Sequence, residues 1–417
     1  MTSADELFQQ AANNYQRLGI EHSPFTESPT GLQSQTLQQV FTGRTNELKQ
    51  VFNQFQSRER RRILVFGRIG IGKSAFLLEV LGTLQRQLPE MLSTYISLPA
   101  DLDLATTALI ALARAMPDDD WAQQQLYQMG IPTAKTLKER SAEVSGSLGI
   151  GGKLSEKDLP IIKPQYPTVS LETLLERAQQ HYPRGVLIAI DDLDKQNPRR
   201  VRDLMHDAQG MLKGPAWFML TGHPYGMTGD LLTSERGLFD LQIELQELDH
   251  PTTYQMLINY LNSVRIGTKY DDVADPRSVL PFSPEAAQKF CQASLGKPRL
   301  FNRLGNIVLS TAANLEAQQI DLDILDAGLK EARPALLQQA ALSAQEERVR
   351  MLLEQRGSLG DDTISLEDLQ QLGFRSYSEI FPILERLEAA DLAHQLPQAD
   401  ATVFESIPLP PAEDPPQ

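Results

Sequence analysis

Residues 62–74 read RILVFGRIGIGKS. The stretch opens on an apolar run, Ile63 to Phe66, as a buried strand does. It then turns glycine-rich and closes on Lys73 and Ser74. GRIGIGKS (67–74) fits the spacing G-x-x-x-x-G-K-[ST]. SAFLLEVLGTLQRQL (74–88) follows with the periodicity of an amphipathic helix, so the loop joins a strand to a helix. Gly67, Gly70 and Gly72 let the backbone curl until its N–H groups, from Arg68, Ile69 and Ile71 onward to Ala75, face an anion. Lys73 is placed to reach the β- and γ-phosphates of a nucleotide. Ser74 is placed to ligate Mg2+, and the helix N-terminus adds its positive dipole end.

A second stretch complements the first. In GVLIAIDDLDK (185–195), the apolar residues Val186 to Ile190 end on Asp191 and Asp192, with Asp194 following. Beside a phosphate loop, Asp191 is placed to hold the Mg2+ shell and Asp192 to orient an attacking water. Asp194 reads as a cap of the next helix or a partner of Lys195 or Arg199. STYISLPA (93–100), AWFMLTG (216–222) and LQIELQEL (241–248) read as further strands, and LDLATTALIALARAM (102–116) as a helix. Strands alternating with helices predict an α/β domain with a parallel sheet covered on both faces. EVSGSLGIGGKLSEKDLPIIKPQYP (143–167) reads as an inserted hairpin or extended loop. Its GIGGK has no apolar strand before it and no helix after it, so it is not a second phosphate loop.

After Asp249 the pattern is helical. PTTYQMLINYLNSV, PEAAQKFCQASLG, PRLFNRLGNIVLSTAANL and DLDILDAGLKEARPALLQQ each carry helical spacing, with Pro, Gly or Asp at the joints. AQEERVRMLLEQRG, SLEDLQQLGF, SYSEIFPILERLEAADL and AHQLPQADATVFESI then read helix, helix, helix and short hairpin, the order of a winged helix. The expected organisation is a lead-in over 1–37, an α/β core over 38–250, a helical domain over 251–340, a winged-helix-like domain over 341–408 and a Pro-rich acidic tail, expected to be disordered, over 409–417.

Composition narrows the function classes. With 417 residues, 41% hydrophobic and 22% charged, the chain is long enough for two or three globular domains. The apolar runs are far too short for a membrane span, and the acidic start MTSADELFQQ is no secretory signal, so a cytoplasmic protein without membrane partners is expected. The single Cys291 rules out an intrachain disulfide, and the six His show no zinc-like spacing. Net charge is −15, which disfavours general phosphate-backbone binding. Residues 341–417 hold five Arg, no Lys and fifteen Asp or Glu. The third winged-helix segment, Ser376–Ala389, sets Glu379, Glu385 and Glu388 against Arg386, and Glu367 and Asp368 precede it. That balance suits protein contact or intramolecular locking better than DNA. The cluster Arg58, Arg60, Arg61 and Arg62 reads as a solvated helix-to-strand junction, with an acidic partner as the alternative.

These motifs together resemble a P-loop ATPase of the additional-strand class, near the border of the AAA+ and STAND groups. VFTGRTNEL (40–48) resembles the h-h-G-R-x-x-E-L box of both, which implies adenine contacts from Phe41, Gly43 and Arg44. FMLTGHP (218–224) resembles the sensor-1 strand, with Thr221 as the polar sensor and His223 where a phosphate-reading Arg often stands. LGKPRLFNRLG (295–305) resembles the lid motif. Its Gly296–Pro298 matches G-x-P, and Arg299 matches the sensor-2 arginine. Arg236, in SERGLF, falls where AAA+ rings can supply an arginine finger. The resemblance implies ATP or ADP with Mg2+ as ligands, and a switch that hydrolyses ATP and assembles with itself or a protein partner. Asp192 stands where many AAA+ enzymes have the longer Glu, which implies slow, partner-stimulated turnover. The alternatives are a DNA-associated initiator or transposition-type regulator, and a nucleotide-binding scaffold with little turnover.

Overall fold

The computed structural model describes residues 3–26, 35–57, 59–132, 161–193, 198–222, 238–396 and 403–407. Most of the expected insertion (143–160), Arg58, Asp194, Lys195, the side chain of Arg199, His223, Arg236 and the tail from 408 lie outside the described residues.

The lead-in holds α1 (Ala4–Arg17) and α2 (Gln35–Val40), and the core opens with α3 (Thr45–Gln54), β1 (Arg62–Gly67) and α4 (Lys73–Gln87). There follow β2 (Met91–Ser97), α5 (Leu104–Ala115), α6 (Asp120–Gln128), α7 (Pro167–His181), β3 (Gly185–Asp191), α8 (Pro198–Asp207), α9 (Gln209–Leu212), β4 (Trp217–Gly222) and β5 (Leu241–Leu245). The five strands form one parallel sheet in the order β2-β3-β4-β1-β5. β4 therefore lies between the strand of the phosphate loop and the strand that carries Asp191. This is the additional strand that the resemblance anticipated.

Both faces of the sheet are covered, which is why its strands are apolar without alternation. Ile63, Val65, Leu187, Ala189 and Met219 pack with Val51, Phe55, Phe76, Leu77 and Val80 of α3 and α4 on one face. Leu64, Phe66, Ile188, Ile190 and Leu220 pack with Ala108, Leu109, Leu112 and Leu174 of α5 and α7 on the other. Burying one such side chain contributes about 1.5–3 kcal/mol. The register Val65↔Thr221 and Ile190↔Leu220 brings the ends of β1, β3 and β4 level with one another.

Beyond β5 the chain forms α10 (His250–Val264), α11 (Pro284–Ala293), α12 (Pro298–Asn314) and α13 (Leu322–Ala340). Asp249, Ser283 and Asp321 cap α10, α11 and α13 by accepting from backbone N–H groups three residues on. The lead-in packs into this helical core. Leu18, Ile20 and Phe25 are buried with it, and Phe25 sits edge-on to Phe301 at 5.4 Å. Gly305 is what lets Phe25 in: a Cβ there would stand 2.5 Å from the ring.

The last part is α14 (Ala344–Arg356), β6 (Ser358–Gly360), α15 (Leu366–Leu372), α16 (Tyr377–Ala389), β7 (Ala393–Leu396) and β8 (Val403–Ser406). Capping boxes at Ser343/Glu346 and Ser365/Asp368 start the first two helices. The strands pair antiparallel in the order β6-β8-β7. This is a winged helix, and the three-residue β6 is an addition to what the sequence pattern gives.

Candidate nucleotide-binding site

The phosphate loop has the backbone its glycines allow. Gly70 and Gly72 have φ of 79° and 95°, in the left-handed region where a Cβ is strained. Gly72 is the N-cap of α4 and supplies no side-chain cap. No N-cap side chain therefore covers the first N–H groups of α4, the groups that face an anion in such a loop. Lys73 is buried, and its Nζ donates to the carbonyls of Gly67 at 2.9 Å and Arg68 at 3.0 Å. Ser74 follows at the second position of α4 and is half-buried. The Arg68 side chain turns away from the loop. Its Nη1 meets Glu247 at 3.2 Å and also donates to the carbonyl of Gln395 in β7.

Asp191 ends β3 and is 1% exposed. Its Oδ2 accepts from the Tyr95 hydroxyl at 2.9 Å, and its Oδ1 accepts from Thr221 Oγ1 and, at 2.9 Å, from the backbone N–H of Asp192. Thr221 is fully buried at the end of β4, and its Oγ1 also accepts from the Asp192 N–H at 3.2 Å. Asp192 takes φ 67°, a left-handed conformation that Asp tolerates better than most residues, and one of its carboxylate oxygens accepts from Ser97 Oγ. Burial, reinforced by Asp191, raises the Tyr95 pKa well above the usual phenol value.

The box over residues 40–48 braces the loop from below. Arg44 is buried, donates to the Ile71 carbonyl at 3.3 Å and lies 3.7 Å from Glu47. Burial lowers its pKa, and Glu47 and Glu247 offset part of that effect. Gly43 lets α10 close in, since a Cβ there would be 2.6 Å from Thr252 Cγ2. Asn259 of α10 donates to Thr42 at 2.9 Å. Thr42, Gly43, Pro251 and Tyr254 line a cleft of about 590 Å³, within the range of ligand pockets. Phe41 is only partly buried and packs against the α3–α4 face of the sheet.

The lid motif reaches the same loop. The backbone N–H of Arg299 donates to the Gly70 carbonyl at 3.1 Å. A Cβ on Gly72 would lie 3.5 Å from Pro298 Cγ, and one on Gly70 would lie 3.2 Å from Arg299 Nε. Gly296, at φ 65°, is required where it stands, because a Cβ would fall 2.1 Å from the Leu248 carbonyl oxygen.

No protein-family model and no curated protein matches this sequence. Solved structures do. The chain is similar to the Aeropyrum pernix ORC1 protein, solved in complex with DNA, over 90% of this chain and 92% of that one, with a TM-score of 0.51 and 11% identity. It is also similar to Pyrobaculum aerophilum Cdc6p, over 92% and 93% of the two chains, with a TM-score of 0.47 and 13% identity. The fold is a P-loop NTPase-type α/β core followed by a helical domain and a C-terminal winged helix.

Within this fold, the structure brings together Gly67 to Ala75, Asp191, Asp192 and Thr221 around the ends of β1, β3 and β4, with Arg44, Pro298 and Arg299 against the loop. His223 and Arg236 are not among the described residues. Among the described residues, the arginines at the start of β1 are engaged by neighbouring groups. Arg60 donates to the Pro215 carbonyl at 3.1 Å, Arg61 pairs with Glu59 at 2.6 Å and Arg62 pairs with Asp240 at 3.0 Å.

Five residues enter whose partners no motif announces. Tyr95 and Ser97 hold the two aspartates from the neighbouring β2. The signal for them is weak but physical: polar residues near the carboxyl end of a parallel strand stand where α/β sheets bind ligands. The other three are Lys297, Glu388 and Asp391. Lys297 Nζ and Glu388 Oε1 lie 3.3 Å apart, both buried. Asp391, fully buried, accepts from Arg299 through both oxygens at 3.0 Å and from Arg303 at 2.7 Å.

Proposed function

We propose that this chain binds ATP with Mg2+, hydrolyses it slowly, and uses the bound nucleotide to control its assembly with itself or with a protein partner. One observation carries the reading. An uncapped helix N-terminus, a lysine and a buried aspartate with neutral donors meet at the ends of β1, β3 and β4.

Asp191 also makes the case for the metal. Its carboxylate accepts from hydroxyls and an amide, neutral donors that orient it towards a cation without competing with one. Ser74 and Asp191 would hold Mg2+, which when bound neutralises charge on the phosphate oxygens. The chain's own groups do the rest. The N–H groups of 68–75 bind and orient the phosphates. Lys73 exchanges its loop carbonyls for β- and γ-phosphate oxygens. Thr221 and Tyr95 fix the Asp191 carboxylate, and Asp192 orients the water. The purine enters the cleft between the 40–48 box and α10. Asp192 reaches one methylene less far than Glu, which favours slow turnover until a partner completes the site. A protein is the preferred partner class, because α16 is acidic and Arg386, the lone cation of that helix, is paired with Glu346 at 2.5 Å.

The test is steady-state phosphate release by the wild type and Lys73→Ala, with Mg2+ and with EDTA, beside binding of a fluorescent ATP analogue. We expect Mg2+-dependent release that Lys73→Ala abolishes. Equal release by both proteins would overturn the reading. Sizing with ADP and with a non-hydrolysable ATP analogue tests the switch, and an unchanged size with both would remove nucleotide-driven assembly.

A further inference from the structure

The inference concerns the regulation of this same site and rests on the nucleotide-binding reading. The third winged-helix segment, α16, points its C-terminal end at the phosphate loop. That end is the negative pole of a helix, and it carries Glu388 and Asp391. Three cations receive it, and a fourth holds β7 just beyond it. Arg68 of the loop donates to the Gln395 carbonyl, Lys297 pairs with Glu388, Arg303 bonds Asp391, and Arg299 bonds both Asp391 oxygens and, at 2.6 Å, the Ala389 carbonyl. Arg299 is also the residue whose backbone and guanidinium lie against Gly70.

The backbone is built to present this carboxylate. α16 ends in a Schellman turn, with Leu392 N–H bonding the Leu387 carbonyl at 2.9 Å and Asp391 N–H bonding the Glu388 carbonyl at 3.0 Å. Asp391 occupies the left-handed position at φ 59°, where glycine is usual. A non-glycine residue held there costs free energy that only surrounding contacts can offset. Here the contacts are two guanidinium groups.

The geometry points to Asp391 as an internal stand-in for a phosphate: it grips Arg299 in the bidentate manner of a phosphate ligand, so the terminal phosphate of ATP and the docked winged helix compete for one arginine. The Nε/Nη2 edge that would read a phosphate is filled by the carboxylate. A γ-phosphate beside Gly70 would also bring negative charge up to Asp391 and Glu388. ADP, which lacks that phosphate, leaves the clasp in place. ATP loosens it, and by linkage loosening the clasp raises ATP affinity.

The experiment compares the wild type with Asp391→Asn in the full chain. Asn accepts the left-handed conformation and keeps the shape while removing the charge. Affinities for ADP and for a non-hydrolysable ATP analogue are measured with Mg2+. We expect the preference for the ATP analogue to rise roughly ten-fold or more in Asp391→Asn, the size of a lost charge-assisted pair, while ADP affinity changes little. In the wild type, amides of α16 and β7 should exchange hydrogen faster with the ATP analogue than with ADP. An unchanged ATP:ADP preference in a variant that still binds ADP would overturn the clasp and leave the nucleotide reading intact. A wild type that binds neither nucleotide would remove the reading and the clasp together. Should Asp391→Asn prove too unstable, Arg303→Gln loosens the same carboxylate without touching Arg299. It should shift the preference in the same direction by less, and no shift would count against the clasp equally.

Discussion

Asp191 and Asp391 are both buried carboxylates at the ends of regular elements, 1% and 0% exposed. Their surroundings are opposite. Asp191 accepts from a phenol, a threonine hydroxyl and a backbone amide. Asp391 accepts from two guanidinium groups. Neutral donors fix the orientation of a carboxylate without supplying positive charge, an arrangement that suits a group receiving a cation from outside. Guanidinium donors compensate the charge on the spot, so the group is prepared to hold two parts of the chain together. On the readings proposed above, one residue type serves as a ligand site at the end of β3 and as a clasp at the end of α16, and the donors distinguish the two.

The comparison breaks or holds on a pair of isosteric changes. Asp191→Asn should cut Mg2+-dependent turnover by about 10²–10³, the range seen when one group that stabilises transition-state charge is removed. It should leave thermal stability nearly unchanged, because the hydrogen-bond donors to this carboxylate among the described residues are neutral. Asp391→Asn should instead lower stability by about 2 kcal/mol as Arg299 and Arg303 lose their partner. That figure lies below the range for fully buried pairs because both arginines keep some exposure. Denaturant titration checks both. Losses of equal sign and size at the two sites would show that the donors do not distinguish them.

What the sequence makes legible follows from distance along the chain. GRIGIGKS and IAIDD are contiguous, and their glycines, lysine and aspartates reveal themselves by spacing. The helices after Asp249 are equally plain, because their caps are local. The strand order is not local. That β4 lies between β1 and β3 depends on pairings between distant segments, and only the resemblance supplied it. Tyr95 is 96 residues from Asp191, and Arg299 is 92 from Asp391. Neither partnership leaves a pattern in either stretch. The acidity of Ser376–Ala389 did carry information. It weighs towards protein contact or intramolecular locking over DNA, and one of its carboxylates, Glu388, is buried against Lys297. The lead-in hid its attachment, since Leu18, Ile20 and Phe25 are too few, among polar neighbours, to set up a strand or helix periodicity.

A smaller effect sharpens the Asp191 side. Tyr95→Phe removes the donor to Oδ2 and leaves the ring. If that bond fixes the carboxylate for the metal, turnover should fall about ten-fold, and the Mg2+ concentration for half-maximal rate should rise, while stability hardly moves. A drop in stability with an unchanged Mg2+ requirement would make Tyr95 a packing residue.

The smallest effect lies on the clasp side and is read through pH. Burial, helped by the neighbouring Glu388, pushes the Glu385 carboxyl up to about 7. Between its ordinary value of 4.5 and about 7 the folded chain holds more proton than the unfolded one. This group's contribution to stability therefore falls as pH rises through that window. His394 works the other way. Burial, with Lys297 and Arg68 beside it and Glu247 opposing, pushes it down to about 4, so its contribution rises between about 4 and its ordinary 6.5. The two slopes oppose each other in the wild type, and only a substitution separates them. Glu385→Gln should match the wild type near pH 4.5 and exceed it at pH 8 by on the order of 1 kcal/mol, discounted for partial exposure. A stability difference that does not change with pH would mean that Glu385 ionises freely in the fold. The acidic end of α16 would then be held by the Arg299, Arg303 and Lys297 contacts alone.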